Sequence, residues 1–390
     1  MKNNCIKFII ICLLFPFIVL QAQPSVIVGA ERTSEYFSLL KGKRVALFSN
    51  HTGRVGDKHL LDILIENKIN VTAIFSPEHG FRGDAGAGDH VASSIDPKTG
   101  VPILSLYDGN AGKPSAESMQ KFDILIVDIQ DVGLRFYTYY VTMVKLMDAC
   151  AEHRKKVIIL DRPNPNGHYV DGPILDMKYR SGVGGLPVPI VHGMTLGELG
   201  RMVNGEQWLP ESRICDLTVI PCLNYTHQTM YRLPVPPSPN LPNMKSIYLY
   251  PSICYFEATP VSLGRGTDLP FQVYGHPNMT GYDFTFTPRS MSSAIHPPQQ
   301  DRLCYGVDLS RLSEEEILKK GIDLSYLIDA YTNLNMDNYF FRSFFENLTG
   351  VDYVRKMILQ GKTAEEIQAV WQDDVVKFKK QRKPYLLYAE

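Results

Sequence analysis

From about residue 43 the chain alternates short, unbroken apolar runs with stretches whose apolar residues recur at helical spacing. The runs "RVALFSN", "NVTAIFS", "VPILSLYD", "FDILIVDIQD" and "KKVIILDRPNP" are β-branched and bounded by polar or turn residues, which predicts strands. Between them, "HLLDILIEN" and "TYYVTMVKLMDACAEH" carry apolar positions three and four apart and predict helices. Strands apolar on both faces, alternating with helices, describe a parallel sheet covered on both sides. The expectation is an α/β protein whose N-terminal half is a Rossmann-like sandwich.

Beyond "DRPNPNGHYVDGP" the texture changes: prolines and glycines become dense, and short β-prone runs rich in Tyr and Phe follow. "TLGELGRMVNGE" predicts a helix capped by Thr195, and "TAEEIQAVWQDDVVKFKKQRKPYLLY" an amphipathic helix capped by Thr363. These shifts divide the chain into 1–22, a Rossmann-like domain over 23–175 and a smaller α/β domain over 176–390. In the first segment Lys2 and Lys7 flank an apolar run, "FIIICLLFPFIVL", followed by "QAQP". This is the pattern of a secretory signal peptide cleaved after Ala22, and at about 13 residues the run is short for a membrane span. The mature protein is expected to be exported, periplasmic or extracellular, with no membrane span.

Composition narrows the partners. The chain has 390 residues, 44% hydrophobic and 21% charged, with a formal charge of -1. No Lys/Arg-rich run stands out, which argues against nucleic acid and against an anionic membrane surface. Of seven cysteines, Cys5 and Cys12 fall in the signal segment, and the other five show no metal-type spacing. Cys150 is expected to be a buried helix residue, and one disulfide among the remaining cysteines stays open.

In open sheets of this kind, ligands bind beyond the carboxyl ends of the strands. Those ends are polar here: Asn50-His51-Thr52, Glu78-His79, Tyr107-Asp108, Asp128 to Asp131, and Asp161-Arg162-Pro163-Asn164. Their shared position predicts a site. "GDAGAG" lacks the order of a dinucleotide loop, and no phosphate-binding G-x-x-x-x-G-K-S/T occurs, so no nucleotide cofactor is expected. G-x-S-x-G is absent too, and Ser49 and Ser76 lack a nucleophile-elbow context. His51, His79, His90 and His192 with nearby carboxylates could converge on a metal, yet H-x-H and H-E-x-x-H spacings are missing.

Carboxylate acid/base chemistry fits best. Glu78 follows Pro77 at a strand exit, where desolvation would raise its pKa and make it a proton donor; an ion pair with Arg82 or Arg135 fits it equally. "DIQDVGLRFYTYY" groups Asp128, Asp131, Arg135 and Tyr137 in a combination suited to sugar hydroxyls and an anionic substituent. Helix capping by Asp131 and core packing of the tyrosines are the structural alternatives. "YFEATPVSLGRGTDLPFQVYGHP" brings Glu257, Arg265, Thr267 and Asp268 into a glycine-punctuated loop that could close over the strand ends. Alternatively, an Arg265–Asp268 charge pair would hold it as a structural loop.

"SNHTG", "FSPEHGFRGDAGAG", "DIQDVGLRFYTY", "LDRPNPNG", "DGPILD", "LPVPIVHGMTLGEL", "PPSPNLP", "FEATPVSLGRGTDLPFQVYGHP" and "QRKPYLLY" run in order across nearly the whole mature chain. Together they resemble the NamZ-type exo-β-N-acetylmuramidases. The resemblance implies two domains with an active site in the cleft between them, and release of N-acetylmuramic acid from the non-reducing end of peptidoglycan fragments. It implies peptidoglycan-derived muramyl saccharides as partners, no cofactor, and the Pro-Glu-His-Gly glutamate, Glu78, as catalytic acid. Asp128 is the first choice for a second carboxylate, with Asp131, Asp268 and Glu257 behind it. The lactyl carboxylate of the sugar calls for a cation, for which Arg82, Arg135 and Arg265 are candidates; Asn50, His79, Tyr137, Asn164 and Thr267 complete the expected substrate-binding set. A non-catalytic fragment-binding protein and a metal-dependent hydrolase are the alternative readings.

Overall fold

The computed structural model describes residues 24–77, 81, 94–106 and 113–390. The N-terminal stretch expected to be a signal peptide, together with Glu78, His79 and Arg82, lies outside the described residues. Six parallel strands form the main sheet: β1 (Arg44–Ser49), β2 (Asn70–Ser76), β3 (Pro102–Ser105), β4 (Ile124–Asp128), β5 (Lys156–Leu160) and β6 (Asp216–Ile220). Their spatial order is β3-β2-β1-β4-β5-β6, with Ser94–Ile95 pairing antiparallel at the outer edge of β3. The chain winds outward from β1 to β3, then returns to the other side of β1 and winds out to β6. The topological switch point therefore falls between β1 and β4, where Ser49 is the register partner of Asp128.

Alternation along each strand explains why the runs read as continuously apolar. Val45, Leu47, Ile124, Ile126, Ile158 and Leu160 face one core, together with Tyr36 and Leu40 of α1 (Thr33–Leu40) and Leu60, Leu61 and Leu64 of α2 (Leu60–Glu66). Ala46, Phe48, Leu125, Val127, Val157 and Ile159 face the other, against α4 (Tyr139–Glu152) and α5 (Leu196–Gly205). The short α3 (Ala116–Gln120) leads into β4. With both faces covered, neither needs polar residues except at the ends. The expected caps are present: Thr195 and Glu198 form a reciprocal box at α5, and Thr363 and Glu366 another at the helix Ala364–Arg382.

The expected domain boundary at 175 is too early. Strand β6 pairs in parallel with β5 along Lys156–Leu160, so the first domain runs at least to Ile220. Three features hid the continuation from the sequence: dense prolines and glycines around it, the turn-rich stretch before α5, and a short strand, "DLTVI", only half-buried at the sheet edge. The second half holds a three-stranded antiparallel sheet in the order Val273–His276, Cys304–Asp308, Phe284–Phe286, surrounded by helices. Its apolar residues, including Ile253, Phe256, Phe271, Phe345 and Trp371, join the core under α4 and α5 rather than forming a separate one.

The final helix also differs from expectation. It stops at Arg382, and a short turn over Lys383–Tyr385 follows, where Pro384 has no N–H to continue the ladder. The chain then folds back so that the Tyr388 hydroxyl donates to Asp161 at 2.6 Å, just past the end of β5. Leu387 N–H donates to Glu198 of α5, and Arg382 donates to the carbonyls of His192 and Gly193. "QRKPYLLY" is thus a clasp on the first domain. Cys150, Cys215, Cys222, Cys254 and Cys304 are all free and buried.

Candidate active site

At the carboxyl end of β1 the chain turns at once. Asn50 is fully buried; its Oδ1 accepts from the N–H and hydroxyl of Thr52, and its Nδ2 donates to the Tyr139 hydroxyl at 3.0 Å. Gln130 N–H donates to the Thr52 hydroxyl, tying the end of β4 to the same turn. Gly53 closes it: a Cβ there would lie 2.1 Å from Ser49 Oγ and 3.0 Å from Asp128 Oδ2, so only glycine fits. This accounts for "SNHTG" in physical terms.

Asp128 lies beneath that turn with no exposed surface. Its Oδ1 accepts from Arg162 Nε at 2.6 Å, while Oδ2 is buried without a hydrogen-bond partner among the described residues. Arg162 also donates through Nη2 to the Arg54 carbonyl. Burial opposes the charge of Arg162, but the Asp128 carboxylate outweighs it and holds the guanidinium above its usual range. Arg162 was not among the expected site residues. Its place at a polar strand end was visible in the sequence, whereas its pairing across to β4 was not.

Asp131, on the next turn, is 7 % exposed. The Gly133 N–H donates to Oδ1 at 2.7 Å, and Oδ2 has no partner among the described residues. Burial pushes its carboxyl up to about 7, against the pull of the N–H groups of Gly133, Val132 and Tyr140. In the unfolded chain the same group titrates near 3.9. Between those values the folded state holds a proton that the unfolded state has released, so its contribution to stability is full in acid and is lost as pH rises towards 7. Asp131→Asn removes that slope. Urea unfolding of both proteins from pH 4 to pH 8 should show the variant gaining on the wild type by on the order of 4 kcal/mol, levelling above pH 7. Asp161, raised to about 6 by burial, gives both proteins a slope of the same sign that cancels in the difference. Parallel curves would mean that Asp131 is ionised in the folded protein throughout.

Arg135 has a different job from the one expected. It is fully buried and donates to four carbonyls: Nη1 to Pro173 and Val188, Nη2 to Leu348 and Thr349. It ties the first domain to the second and has no edge to offer a substrate. Asn164 is likewise structural, donating to the Met194 carbonyl and accepting the Asn166 N–H. His192, buried and pushed down to about 3 by desolvation, uses Nδ1 to accept the Met194 N–H. Among the described residues no three His, Cys, Asp or Glu side chains are grouped to hold a metal.

Tyr137 begins the link to the second half. Tyr137 and Tyr139 pack edge to face, 4.6 Å between centroids, and both donate their hydroxyls to the Pro237 carbonyl. His51 Nε2 lies 2.8 Å from the Pro236 carbonyl, so "PPSPNLP" is drawn across the ends of β1 and β4. Tyr250, in helix α6 (Met244–Ile253), meets the Tyr137 ring at 6.3 Å and the Phe271 ring at 4.7 Å. Arg265 lies over the Phe271 ring, 5.0 Å from its centroid, and pairs with Glu257 at 2.6 Å. The alternative Arg265–Asp268 pair is not formed; Asp268 is exposed. Thr267 shapes the loop, donating to the Gly264 carbonyl and accepting the Leu269 N–H. Asn50, Tyr137, Glu257 and Arg265 thus lie along one continuous chain of contacts between the halves. Tyr139, expected only as one of the core-packed tyrosines, supplies a joint, as do Pro237, Tyr250 and Phe271, which nothing in the sequence singled out.

Comparison with known proteins agrees with this architecture. The family model described as exo-beta-N-acetylmuramidase NamZ, N-terminal, matches residues 45–245, and its C-terminal counterpart matches 248–388. A Bacillus subtilis protein named peptidoglycan beta-N-acetylmuramidase NamZ is 40% identical over 376 residues, covering 91% of this chain and 89% of its own. A crystal structure of a DUF1343 family protein from Bacteroides fragilis matches with TM-score 0.89 at 73% identity, covering 94% of this chain and 100% of its own. A second DUF1343 protein of that organism matches with TM-score 0.78 at 29% identity over the same shares.

Proposed function

The chain belongs to the exo-β-N-acetylmuramidase NamZ family, and we propose that it is an exported glycosidase releasing N-acetylmuramic acid from the non-reducing end of peptidoglycan fragments. The observation that carries this reading is the match of both family models in tandem, with a relative of that named activity aligned over nearly its whole length. The geometry is compatible: packed rings of Tyr137, Tyr250 and Phe271 join the strand ends at the switch point between β1 and β4 to the Arg265 loop of the second half. Export rests on the signal-like segment at 1–22.

In this reading Glu78, two residues beyond the end of β2, is the general acid that protonates the leaving oxygen. Asp128 has no surface to offer a sugar; it holds Arg162, whose other end donates to the Arg54 carbonyl beneath the site. The test is nitrophenol release from 4-nitrophenyl N-acetylmuramide, together with release of the monosaccharide from a muramyl disaccharide. Turnover of both is the expected result. A folded protein that turns over neither but binds the sugar would overturn the reading in favour of a fragment-binding protein.

A further inference from the structure

The anionic group that separates N-acetylmuramic acid from N-acetylglucosamine is its lactyl carboxylate, and the two arginines described among the expected candidates are held very differently. Arg135 is enclosed by carbonyls. Arg265 is held from one side only. Its Nε and Nη2 both donate to a single oxygen, Glu257 Oε1, at 3.0 and 2.6 Å. Neither Nη1 nor Glu257 Oε2 makes a hydrogen bond among the described residues, and the two side chains keep 19% and 27% of their surface exposed.

The support beneath Arg265 is unusual. Phe271 carries it on its ring while its own backbone sits at φ 58°, a left-handed conformation that is an outlier for a bulky side chain. The Phe271 N–H donates to the Leu263 carbonyl at 2.8 Å, closing the base of the loop that carries Arg265. The same ring touches Tyr250, which touches Tyr137 at the strand ends of the first domain. A strained residue thus fixes the plane and direction of a guanidinium whose outer edge is open. Strain of this kind persists only where the surroundings enforce it, and it clusters at functional sites.

We propose that Arg265 reads the lactyl carboxylate of the muramyl sugar through its open edge, and that Glu257 and Phe271 are positioning residues that orient it. The proposal rests on the muramidase reading and deepens it by locating the sugar selectivity in the second half of the chain. A planar guanidinium already clamped on one edge meets a carboxylate on the other with little orientation left to lose.

The test uses two substrates, 4-nitrophenyl N-acetylmuramide and its lactyl carboxamide, which has the same shape without the charge. Wild type should prefer the carboxylate by roughly 30-fold in kcat/KM, the range of a charged hydrogen bond. Arg265→Met should abolish that preference, losing the carboxylate substrate through KM and changing the carboxamide by less than about 3-fold. Glu257→Gln keeps the arginine but loosens it, so KM for the muramide should rise several-fold at roughly constant kcat. Equal losses on both substrates, or a preference untouched in Arg265→Met, would overturn the proposal. Calorimetric binding of free N-acetylmuramic acid and its carboxamide to the same proteins reads the discrimination without catalysis. A wild type that discriminates but does not turn over would defeat the muramidase reading alone.

Discussion

Replacing Arg135 with methionine should destabilise the protein by about 4 kcal/mol and lower its melting temperature by about 5 °C. The side chain is fully buried, and its two terminal nitrogens serve the carbonyls of Pro173, Val188, Leu348 and Thr349. Methionine fills much of the same volume and provides none of those donors. The acceptors are then left buried without the bonds that justified their desolvation. Well below its transition the variant should hydrolyse the chromogenic muramide within about 2-fold of wild type, because the guanidinium presents no edge to a ligand. Thermal unfolding and kcat/KM measured on the same preparation decide the matter. An unchanged melting temperature with a raised KM would return Arg135 to the substrate-binding role that its sequence context suggested.

The second large effect is expected at Glu78. Glu78→Gln keeps size and polarity but cannot give up a proton, so kcat should fall by about 10² to 10⁴ with KM nearly unchanged. An aryl leaving group as good as nitrophenolate needs less protonation, so the loss should be smaller on the aryl glycoside than on a natural muramyl disaccharide. That gradient is more informative than the loss alone, since a variant that merely misplaced the sugar would lose comparably on both. Full activity on the disaccharide would remove Glu78 from the acid role and leave the enzyme class standing.

The sheet was legible in the sequence because its strands alternate between two apolar cores and so read as unbroken runs with polar ends. Asn50, Asp128, Asp131 and Arg162 were visible as strand-end residues for the same reason. Their individual jobs were not, because each depends on a partner far away in the chain. Asp128 meets Arg162 34 positions on, and Arg135 meets Thr349 214 positions on. An arginine in "DVGLRFY" looks like a loop residue until those distant carbonyls close around it. The Arg265–Asp268 pairing failed on the same ground in miniature: the nearer carboxylate stays in solvent, and Glu257, eight positions back, takes the guanidinium. The boundary at 175 failed because β6 is a brief, half-buried edge strand with little apolar signal of its own.

The clasp of "QRKPYLLY" on the first domain has a consequence for how the molecule comes into being. Asp161 receives its Tyr388 hydroxyl from 227 positions downstream, and Cys222 N–H needs the same oxygen. A ribosome makes β5 long before it makes Tyr388, so the first half emerges with a buried carboxylate still short of a donor. The two halves matched by the family models, which meet near residue 246, thus share this closure and one apolar core. Closures between such distant positions slow folding. The last hydrogen bonds of the first half therefore form only once the tail has been made.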